Sequence, residues 1–202
     1  MRIGIFGGTF DPVHYGHLIV AEQAREQAGL DQLWFVPSAR PPHKVDQTIS
    51  PFDRRAEMLS VALAGQEDKF RVETIERDRP GLSYTADTLD VLNEQYPGTD
   101  WFLLLGADSV QDLPTWHEPI RILDRATILV AARHEYAQWT ATELANRLGT
   151  DPKRIRLQVI DAPLIDIASR DLRRRAAEER SLLFQVPHAV RVYVREKKLY
   201  QL

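Results

Sequence analysis

The stretch RIGIFGGTFDPVHYGHLIVAEQAREQA, residues 2–28, decides the fold of the chain. Its apolar burst indicates a buried strand over Arg2–Phe6, and two glycines follow at once. From His17 to Ala28 the apolar residues recur at the spacing of three and four that is typical of a helix with one buried face. The stretch therefore predicts a strand, a glycine-containing turn and a helix.

The same alternation of short apolar runs and amphipathic stretches continues along the chain. The other predicted strands are Gln32–Val36, Phe70–Glu73, Trp101–Leu105, Thr127–Ala131 and Arg156–Ile160. The other predicted helices are Phe52–Ala64, Thr85–Gln95, Thr140–Leu148, Ser169–Ala177 and Pro187–Lys197. Apolar strands that alternate with helices favour βαβ units and a parallel sheet covered on both faces. We therefore predict an α/β fold in one domain, residues 1–202, with a C-terminal helical part from about residue 165.

Composition excludes several classes of function. The chain has 202 residues, no cysteine and a formal net charge of −3. The absence of cysteine excludes disulfides and thiol catalysis, and the charge gives no reason to expect nucleic acid or an anionic membrane as a partner. No run approaches the roughly 18 apolar residues of a membrane span, and the first apolar run is too short for the core of a signal peptide. We expect a cytoplasmic protein.

One stretch is irregular, PSARPPHKVDQTISP at residues 37–51. Its prolines argue against regular helix. A connection of about 15 residues is long for a compact domain, and such loops are usually functional lids or disordered segments.

The turn after the first strand has the composition of a phosphate site. Ligands of parallel sheets collect outside the carboxyl ends of the strands. There Gly7 and Gly8 permit close backbone approach and a positive φ. Gly16 and His17 lie where unpartnered helix amides favour an anion, and His14 and His17 can donate to phosphate oxygens.

Two other interpretations of this turn stay open. The glycines could form a tight turn beside two surface histidines, because neither GxGxxG nor GxxxxGK[ST] is present. A metal site is less well supported, because His14 and His17 have no obvious third ligand nearby.

The motif GGTFDPVHYGH resembles the signature of the nucleotidyltransferase superfamily marked by HxGH, here residues 14–17. The segments PPHK, SYTADTL, GADS and PTW extend the resemblance over essentially the whole chain to the bacterial nicotinate-nucleotide adenylyltransferases. The resemblance implies a Rossmann-like, doubly wound fold. It implies adenylyl transfer from ATP to nicotinate mononucleotide, with Mg²⁺ accompanying ATP and without a dedicated protein metal site. The partners implied are these small molecules, and an oligomer stays possible.

The resemblance also assigns roles to residues. Those assigned to catalysis are His14, His17 and Arg173. Those assigned to ATP and its phosphates are Gly7, Gly8, Thr9, Phe10, Gly16, Lys44, Gly106, Asp108, Arg133, Ile167 and Ser169. Those assigned to nicotinate mononucleotide are Tyr84, Thr85 and Trp116, whose ring would stack on the pyridine. Arg55 is a weak candidate, because a basic residue at the start of an amphipathic helix is commonly at the surface.

Each assignment has an ordinary structural alternative. Lys44 could be a solvated loop residue, and Asp108 could cap a helix. Trp116 could belong to the core. Two motifs depart from the family pattern, since His134-Glu135 stands where Pro-Gly is usual, and IASRDLR, residues 167–173, replaces ISSTxxR. The second departure leaves Arg170 either a substitute phosphate donor or without a role.

Rival functions follow from the same superfamily. A pantetheine-phosphate adenylyltransferase or a cytidylyltransferase would share HxGH, but SYTADTL and PTWHE favour the nicotinate enzyme. A nucleotide-binding regulator without catalysis is the alternative from another class, which the intact HxGH disfavours and the altered IASRDLR keeps open.

Overall fold

A computed structural model describes residues 1–44, 48–132, 139–163 and 165–201 of the chain, without the side chain of Lys44. The strands are β1 (Arg2–Gly8), β2 (Gln32–Pro37), β3 (Phe70–Val72), β4 (Asp100–Gly106), β5 (Ala126–Ala132) and β6 (Leu157–Asp161). The α-helices are α1 (Tyr15–Gln27), α2 (Phe52–Leu63), α3 (Thr85–Gln95), α4 (Ala107–Asp112), α5 (Pro119–Arg125), α6 (Ala141–Leu148), α7 (Ser169–Ala177) and α8 (His188–Glu196). Short 3-10 helices lie at Pro42–Lys44, Leu113–Thr115 and Pro152–Arg154.

The strands form one parallel sheet in the order β3-β2-β1-β4-β5-β6. This is the strand order of the doubly wound dinucleotide-binding folds, so the predicted Rossmann-like α/β fold is confirmed. The chain winds from β1 towards one edge and then from β4 towards the other. The order therefore reverses between β1 and β4, where such folds bind their ligands.

The sheet has an apolar core on each face. Along β2 the side chains alternate, so that Leu33 and Phe35 belong to one cluster and Trp34 and Val36 to the other. The first cluster is covered by α1, α2, α7 and α8, and the second by α3, α4, α5 and α6. Both faces are thus buried, which explains the near-continuous apolar runs of the strands. None of the helices in the described ranges is long and apolar enough to span a membrane.

The largest differences from the predicted helices are at α1, at α4 and α5, and in the 37–51 stretch, while several other helix ends shift by one residue. Helix α1 begins at Tyr15, two residues before the predicted start. Helices α4 and α5 are not predicted at all, and both are short, with six and seven residues. The predicted irregular stretch contains one 3-10 turn, Pro42–Lys44, which is compatible with prolines because no long ladder of amide donors is needed.

Candidate active site

The candidate site lies at the reversal point of the sheet. Strands β1 and β4 are parallel neighbours, with Ile5 opposite Leu103. Beyond their carboxyl ends lie the turn Thr9–Val13 and Gly106, and α1 follows the turn. The fold therefore brings the motif GGTFDPVHYGH close to the motif GADS, although about 90 residues separate them in the chain.

His14 and His17 cap the first turn of α1 together. His14 is the N-cap residue, and its Nδ1 accepts a long hydrogen bond of 3.4 Å from the backbone N–H of His17. In return, Nδ1 of His17 accepts from the backbone N–H of His14 at 3.3 Å. This is a capping box built from two imidazoles. Because histidine is not among the usual capping residues, the sequence placed the helix start two residues too late.

The same bonds define the tautomers of the two rings. A neutral imidazole that accepts on Nδ1 carries its hydrogen on Nε2. The rings are stacked, with centroids 3.6 Å apart and an angle of 23° between their planes. Two positive charges at that separation would repel, which disfavours protonation of both rings at once.

Burial also disfavours the charged form of His14. The residue is 6% exposed, and burial lowers the pKa of His14 from 6.5 to about 4. The imidazole is therefore neutral at physiological pH, and its hydrogen-bonding role does not depend on protonation.

The lowered pKa of His14 predicts a loss of stability in acid. The unfolded ring binds a proton below pH 6.5, whereas the folded ring binds it only near pH 4, so stability is complete above pH 6.5 and declines as the pH falls towards 4. Between pH 8 and pH 5 this residue should remove about 2 kcal/mol from the free energy of unfolding. Urea unfolding of wild type and His14→Asn measures it, because the variant keeps a capping side chain and all other titrating groups. If the free energy of unfolding depends on pH in the same way in both proteins, the lowered pKa of His14 is contradicted.

The glycines of the motif make room for aromatic rings. A Cβ on Gly16 would lie 3.0 Å from Nδ1 of His14, and one on Gly8 would lie 2.8 Å from the Phe10 ring. The expected positive φ at Gly7 and Gly8 is wrong, because both residues are extended members of β1 and pair with β2. The left-handed residue of the turn is Phe10, with a φ of 51°. Phe10 is 2% exposed, and its ring lies edge-on to His17 with centroids 5.1 Å apart.

Two cavities meet at this point. Cavity A, of about 340 Å³, is bounded by the turn after β1, by residues 38–43 and by the start of α3. Cavity B, of about 640 Å³, is bounded by α1, by α4 and by the ends of β5 and β6. The residues that line both cavities are Phe6, His17, Leu104 and Gly106. His17 is thus the one side chain of the predicted catalytic set that borders both.

The predicted site residues divide between the cavities. Cavity A is lined by Gly7, Gly8, Thr9, Phe10, His17, Thr85, Gly106, Trp116, Ser169 and Arg173. Cavity B is lined by His14, Gly16, His17, Gly106, Asp108 and Ile167. Tyr84 lines neither of these two; it borders a small adjoining pocket, cavity C, together with Thr85, Trp116 and His117.

Cavity C lies at the start of α3. Tyr84 is the N-cap residue of this helix, and its side chain makes no capping hydrogen bond, so the N-cap side chain does not occupy the first-turn amides beside this pocket. Trp116 is half-buried and borders cavities A and C, and its ring centroid lies 6.2 Å from that of His43. The ring of Tyr84 lies against that of His117, with centroids 4.2 Å apart. An uncapped helix start beside an aromatic face suits an anionic ring.

The IASRDLR motif contacts the β1 turn directly. The Ser169 hydroxyl donates to the carbonyl oxygen of Pro12 at 2.9 Å, and Arg173 donates from Nη1 to the carbonyl oxygen of Asp11 at 2.8 Å. Ala168 is the N-cap of α7, so Ser169 begins the helix without capping it. The Arg170 side chain is 82% exposed and lies 3.9 Å from Asp171, outside both cavities.

Two further predictions on this face need correction. Asp108 lies in the first turn of α4, whose N-cap is Gly106, so the alternative in which Asp108 caps a helix is wrong. Arg55 is not a surface residue, since it is 1% exposed. Its guanidinium donates to the carbonyl oxygens of Thr9 and Ser50, both at 2.9 Å, which stabilises the turn without facing a cavity.

Two predicted phosphate ligands cannot be placed. The side chain of Lys44 and the whole of Arg133 lie outside the described residues. Both assignments therefore stay predictions.

Sequence reasoning missed several residues that line the cavities. Trp139 and Arg147 border cavity B, with the guanidinium 4.7 Å from the indole centroid. Glu76, buried beside cavity A, accepts from the Thr88 hydroxyl at 2.6 Å and from the Ala39 amide at 3.2 Å, which joins the 38–41 segment to α3. No motif or periodicity marks these positions, because their neighbours come from distant parts of the chain.

One cluster in the described part of the chain has the composition of a metal site. Asp87, His117 and Glu118 offer ligand atoms within 4.8 Å of one another at the edge of cavity C. Arg121 forms ion pairs with both carboxylates of this cluster. One positive charge, which Arg121 shares with Asp90, therefore already offsets part of the negative charge of the cluster.

Comparison with known proteins agrees with this geometry. A family model described as cytidylyltransferase-like matches residues 5–175. A protein of Thermomicrobium roseum named probable nicotinate-nucleotide adenylyltransferase is 42% identical over 99% of this chain and 92% of its own length. A protein of the same name from Thermus thermophilus is 40% identical over the full length of both. The structure of Plasmodium falciparum nicotinic acid mononucleotide adenylyltransferase, complexed with NaAD, has the same fold, with a TM-score of 0.78 over 98% of this chain and 97% of that one, at 18% identity.

The chain therefore belongs to the cytidylyltransferase-like family, whose members share the nucleotidyltransferase fold. Its full-length relatives narrow that membership to the nicotinate-nucleotide adenylyltransferases, which confirms the resemblance found in the motifs.

Proposed function

We propose that the protein transfers the adenylyl group of ATP to nicotinate mononucleotide, giving deamido-NAD and pyrophosphate. The observation that carries the proposal is the junction of cavities A and B at His17. A reaction between two nucleotides needs two adjoining pockets with hydrogen-bond donors at their junction. The names of the full-length relatives identify this substrate pair for those proteins and support it here.

We assign the nucleoside end of ATP to cavity B, the phosphates of ATP to the part of cavity A that the turn after β1 and Arg173 border, and the acceptor nucleotide to the rest of cavity A and to cavity C. Gly106 and Asp108 at the entrance of cavity B can receive a ribose, because a carboxylate accepts from its hydroxyls. Thr85 and Trp116 line cavities A and C and can receive the pyridine ring. The phosphates of both substrates then meet beside His17.

The chemistry at that junction is an in-line displacement. A phosphate oxygen of nicotinate mononucleotide attacks the α-phosphorus of ATP, the bond from that phosphorus to the bridging oxygen breaks, and pyrophosphate leaves with the bonding electrons. The protein supplies no nucleophile, and its contribution is alignment and neutralisation of charge. His17 and His14 donate from Nε2 to phosphate oxygens, and Arg173 adds a fixed positive charge from the start of α7.

The residues around the junction fit a metal ion carried by ATP. Enzymes of this family generally use a divalent metal. The carboxylates that line cavities A and B in the described residues are Asp11, Glu76 and Asp108. The first two are occupied by internal hydrogen bonds, and Asp108 is exposed. We therefore propose Mg²⁺ held by phosphate oxygens and water, with exposed Asp108 as the carboxylate that could contact it, and the ion would neutralise charge on the phosphates.

Removal of the metal is expected to be fully reversible. After dialysis against chelator and then against buffer, the protein should contain no stoichiometric metal, because few protein ligands hold it. Activity should return in full when Mg²⁺ is added with ATP. Metal analysis and a pyrophosphate assay on the same sample measure both quantities. A tightly held ion in the dialysed protein, or undiminished turnover in excess chelator, would contradict this proposal.

Product analysis tests the proposed function itself. Purified protein is incubated with MgATP and either nicotinate mononucleotide or 4′-phosphopantetheine, and the products are separated by chromatography. We expect deamido-NAD with the first acceptor and no adenylylated product with the second. CTP in place of ATP should give no product. Absence of deamido-NAD, or preference for the other acceptor, would refute the assignment.

A further inference from the structure

Tyr200, which follows helix α8, is joined to the turn after β1 by a hydrogen bond that spans 189 residues of the chain. Its hydroxyl donates to Oδ1 of Asp11 at 2.7 Å and lies 3.8 Å from Sδ of Met58. Burial, together with the nearby Asp11 carboxylate, raises the pKa of Tyr200, so the hydroxyl keeps its proton and acts as a donor. The backbone of Tyr200 is left-handed, with a φ of 67°, which a residue with a side chain adopts only when surrounding contacts hold it there.

Asp11 connects Tyr200 to two other parts of the site. The residue is 2% exposed, and its second oxygen, Oδ2, accepts from the Ser50 amide at 3.0 Å, just before α2 begins. Its backbone carbonyl accepts from Arg173 at 2.8 Å. Arg55 braces the same turn through the carbonyl oxygens of Thr9 and Ser50. One buried residue therefore orients the end of the 37–51 stretch, the turn after β1 and the Arg173 guanidinium.

From these contacts we infer that Tyr200 is a positioning residue for adenylyl transfer, acting through Asp11. Without its hydroxyl, Oδ1 of Asp11 loses a donor in a site that water reaches poorly, and the carboxylate must turn to find another. Such a turn would disturb the Ser50 contact and the carbonyl that holds Arg173. The acceptor contacts at Thr85 and Trp116 lie on other elements and should not change. The inference rests on the proposed function for its turnover measurements.

Tyr200→Phe tests the inference, and Tyr193→Phe is its matched control. Tyr193 lies on α8 and its hydroxyl also contacts α2, through Glu57 and Arg54, but it does not touch Asp11. We expect Tyr200→Phe to lower kcat/KM for ATP by about tenfold and to weaken binding of a non-hydrolysable ATP analogue, because a hydrogen bond to a charged group is lost. The KM for nicotinate mononucleotide should be unchanged. Tyr193→Phe should match wild type in kcat/KM for ATP, in affinity for the ATP analogue and in KM for nicotinate mononucleotide.

A double-mutant cycle shows whether the effect passes through Asp11. In the Asp11→Asn background, adding Tyr200→Phe should cost less than about twofold, because the carboxylate it acts on is already gone. If Tyr200→Phe unfolds below the assay temperature, Asp11→Asn alone should show the same loss for ATP and the same KM for nicotinate mononucleotide.

Several outcomes would overturn the inference. These are equal losses in the two Tyr→Phe variants, an undiminished loss in the Asp11→Asn background, or a rise in the KM for nicotinate mononucleotide alone. If wild type forms no deamido-NAD, the proposed function fails separately. The dissociation constants of the ATP analogue then still compare Tyr200→Phe with Tyr193→Phe and decide this inference.

Discussion

Replacing His17 with alanine is expected to lower kcat by about a hundred- to a thousandfold. Loss of one preorganised donor to a developing negative charge typically costs about 2.7–4 kcal/mol of transition-state stabilisation. His17 is the predicted catalytic side chain that borders both cavities, so its loss should affect the step at which the two nucleotides meet. Steady-state kinetics with both substrates saturating measures the effect.

The control for this variant must separate catalysis from a general disturbance of the first turn of α1. His17→Ala also removes the bond that Nδ1 accepts from the His14 amide, which is worth about 1 kcal/mol of stability. Tyr15→Ala, in the same first turn but outside the three cavities, is expected to keep the wild-type kcat. Retention of more than about a tenth of wild-type kcat by His17→Ala would contradict its role as a donor to the transition state.

We expect kcat/KM for nicotinate mononucleotide to exceed kcat/KM for nicotinamide mononucleotide by at least about tenfold. The start of α3 offers amides without a side-chain cap to cavity C, and such donors favour a carboxylate. The one acidic residue in that turn, Asp87, is paired with Arg121, so its charge does not cancel the effect. Nicotinamide stacks on Trp116 equally well but presents an NH₂ group where an acceptor is needed. The mismatch costs about 1.5–3 kcal/mol, or roughly 10- to 150-fold.

Two variants of Thr85 isolate the backbone donor. Thr85→Pro removes the first amide of α3 at a position where proline is tolerated, whereas Thr85→Val keeps the amide and removes only the hydroxyl. We expect the acid-to-amide ratio to fall in Thr85→Pro and to hold in Thr85→Val, when both mononucleotides are assayed under identical MgATP. Equal kcat/KM values for the two substrates in wild type would defeat the assignment of this turn.

The strands were predictable because each contains a short apolar run, which in β1, β2, β4 and β5 is buried on both faces of the sheet. Helices α4 and α5 were not, because each covers less than two full turns with few buried residues and shows no periodicity long enough to recognise. The start of α1 was placed too late because its caps are histidines.

The site was predictable where a motif is contiguous and unpredictable where it depends on distant contacts. His14, His17 and Gly16 stand together in the sequence, so their proximity could be inferred. Arg55 was predicted at the surface because its hydrogen-bond partner, the Thr9 carbonyl, lies 46 residues away and no nearby residue indicates it. The bond from Tyr200 to Asp11 spans 189 residues, and no local pattern encodes it.

The mutual capping of His14 and His17 has a consequence for how this enzyme can evolve. In many enzymes the active-site side chains destabilise the folded state, so their replacement raises stability while activity is lost. Here the two rings complete the first turn of α1, and each supplies the acceptor for the other's amide. At neutral pH, replacing either ring with a side chain that offers no acceptor therefore costs stability as well as activity. Selection for folding thus acts on the same two positions as selection for turnover.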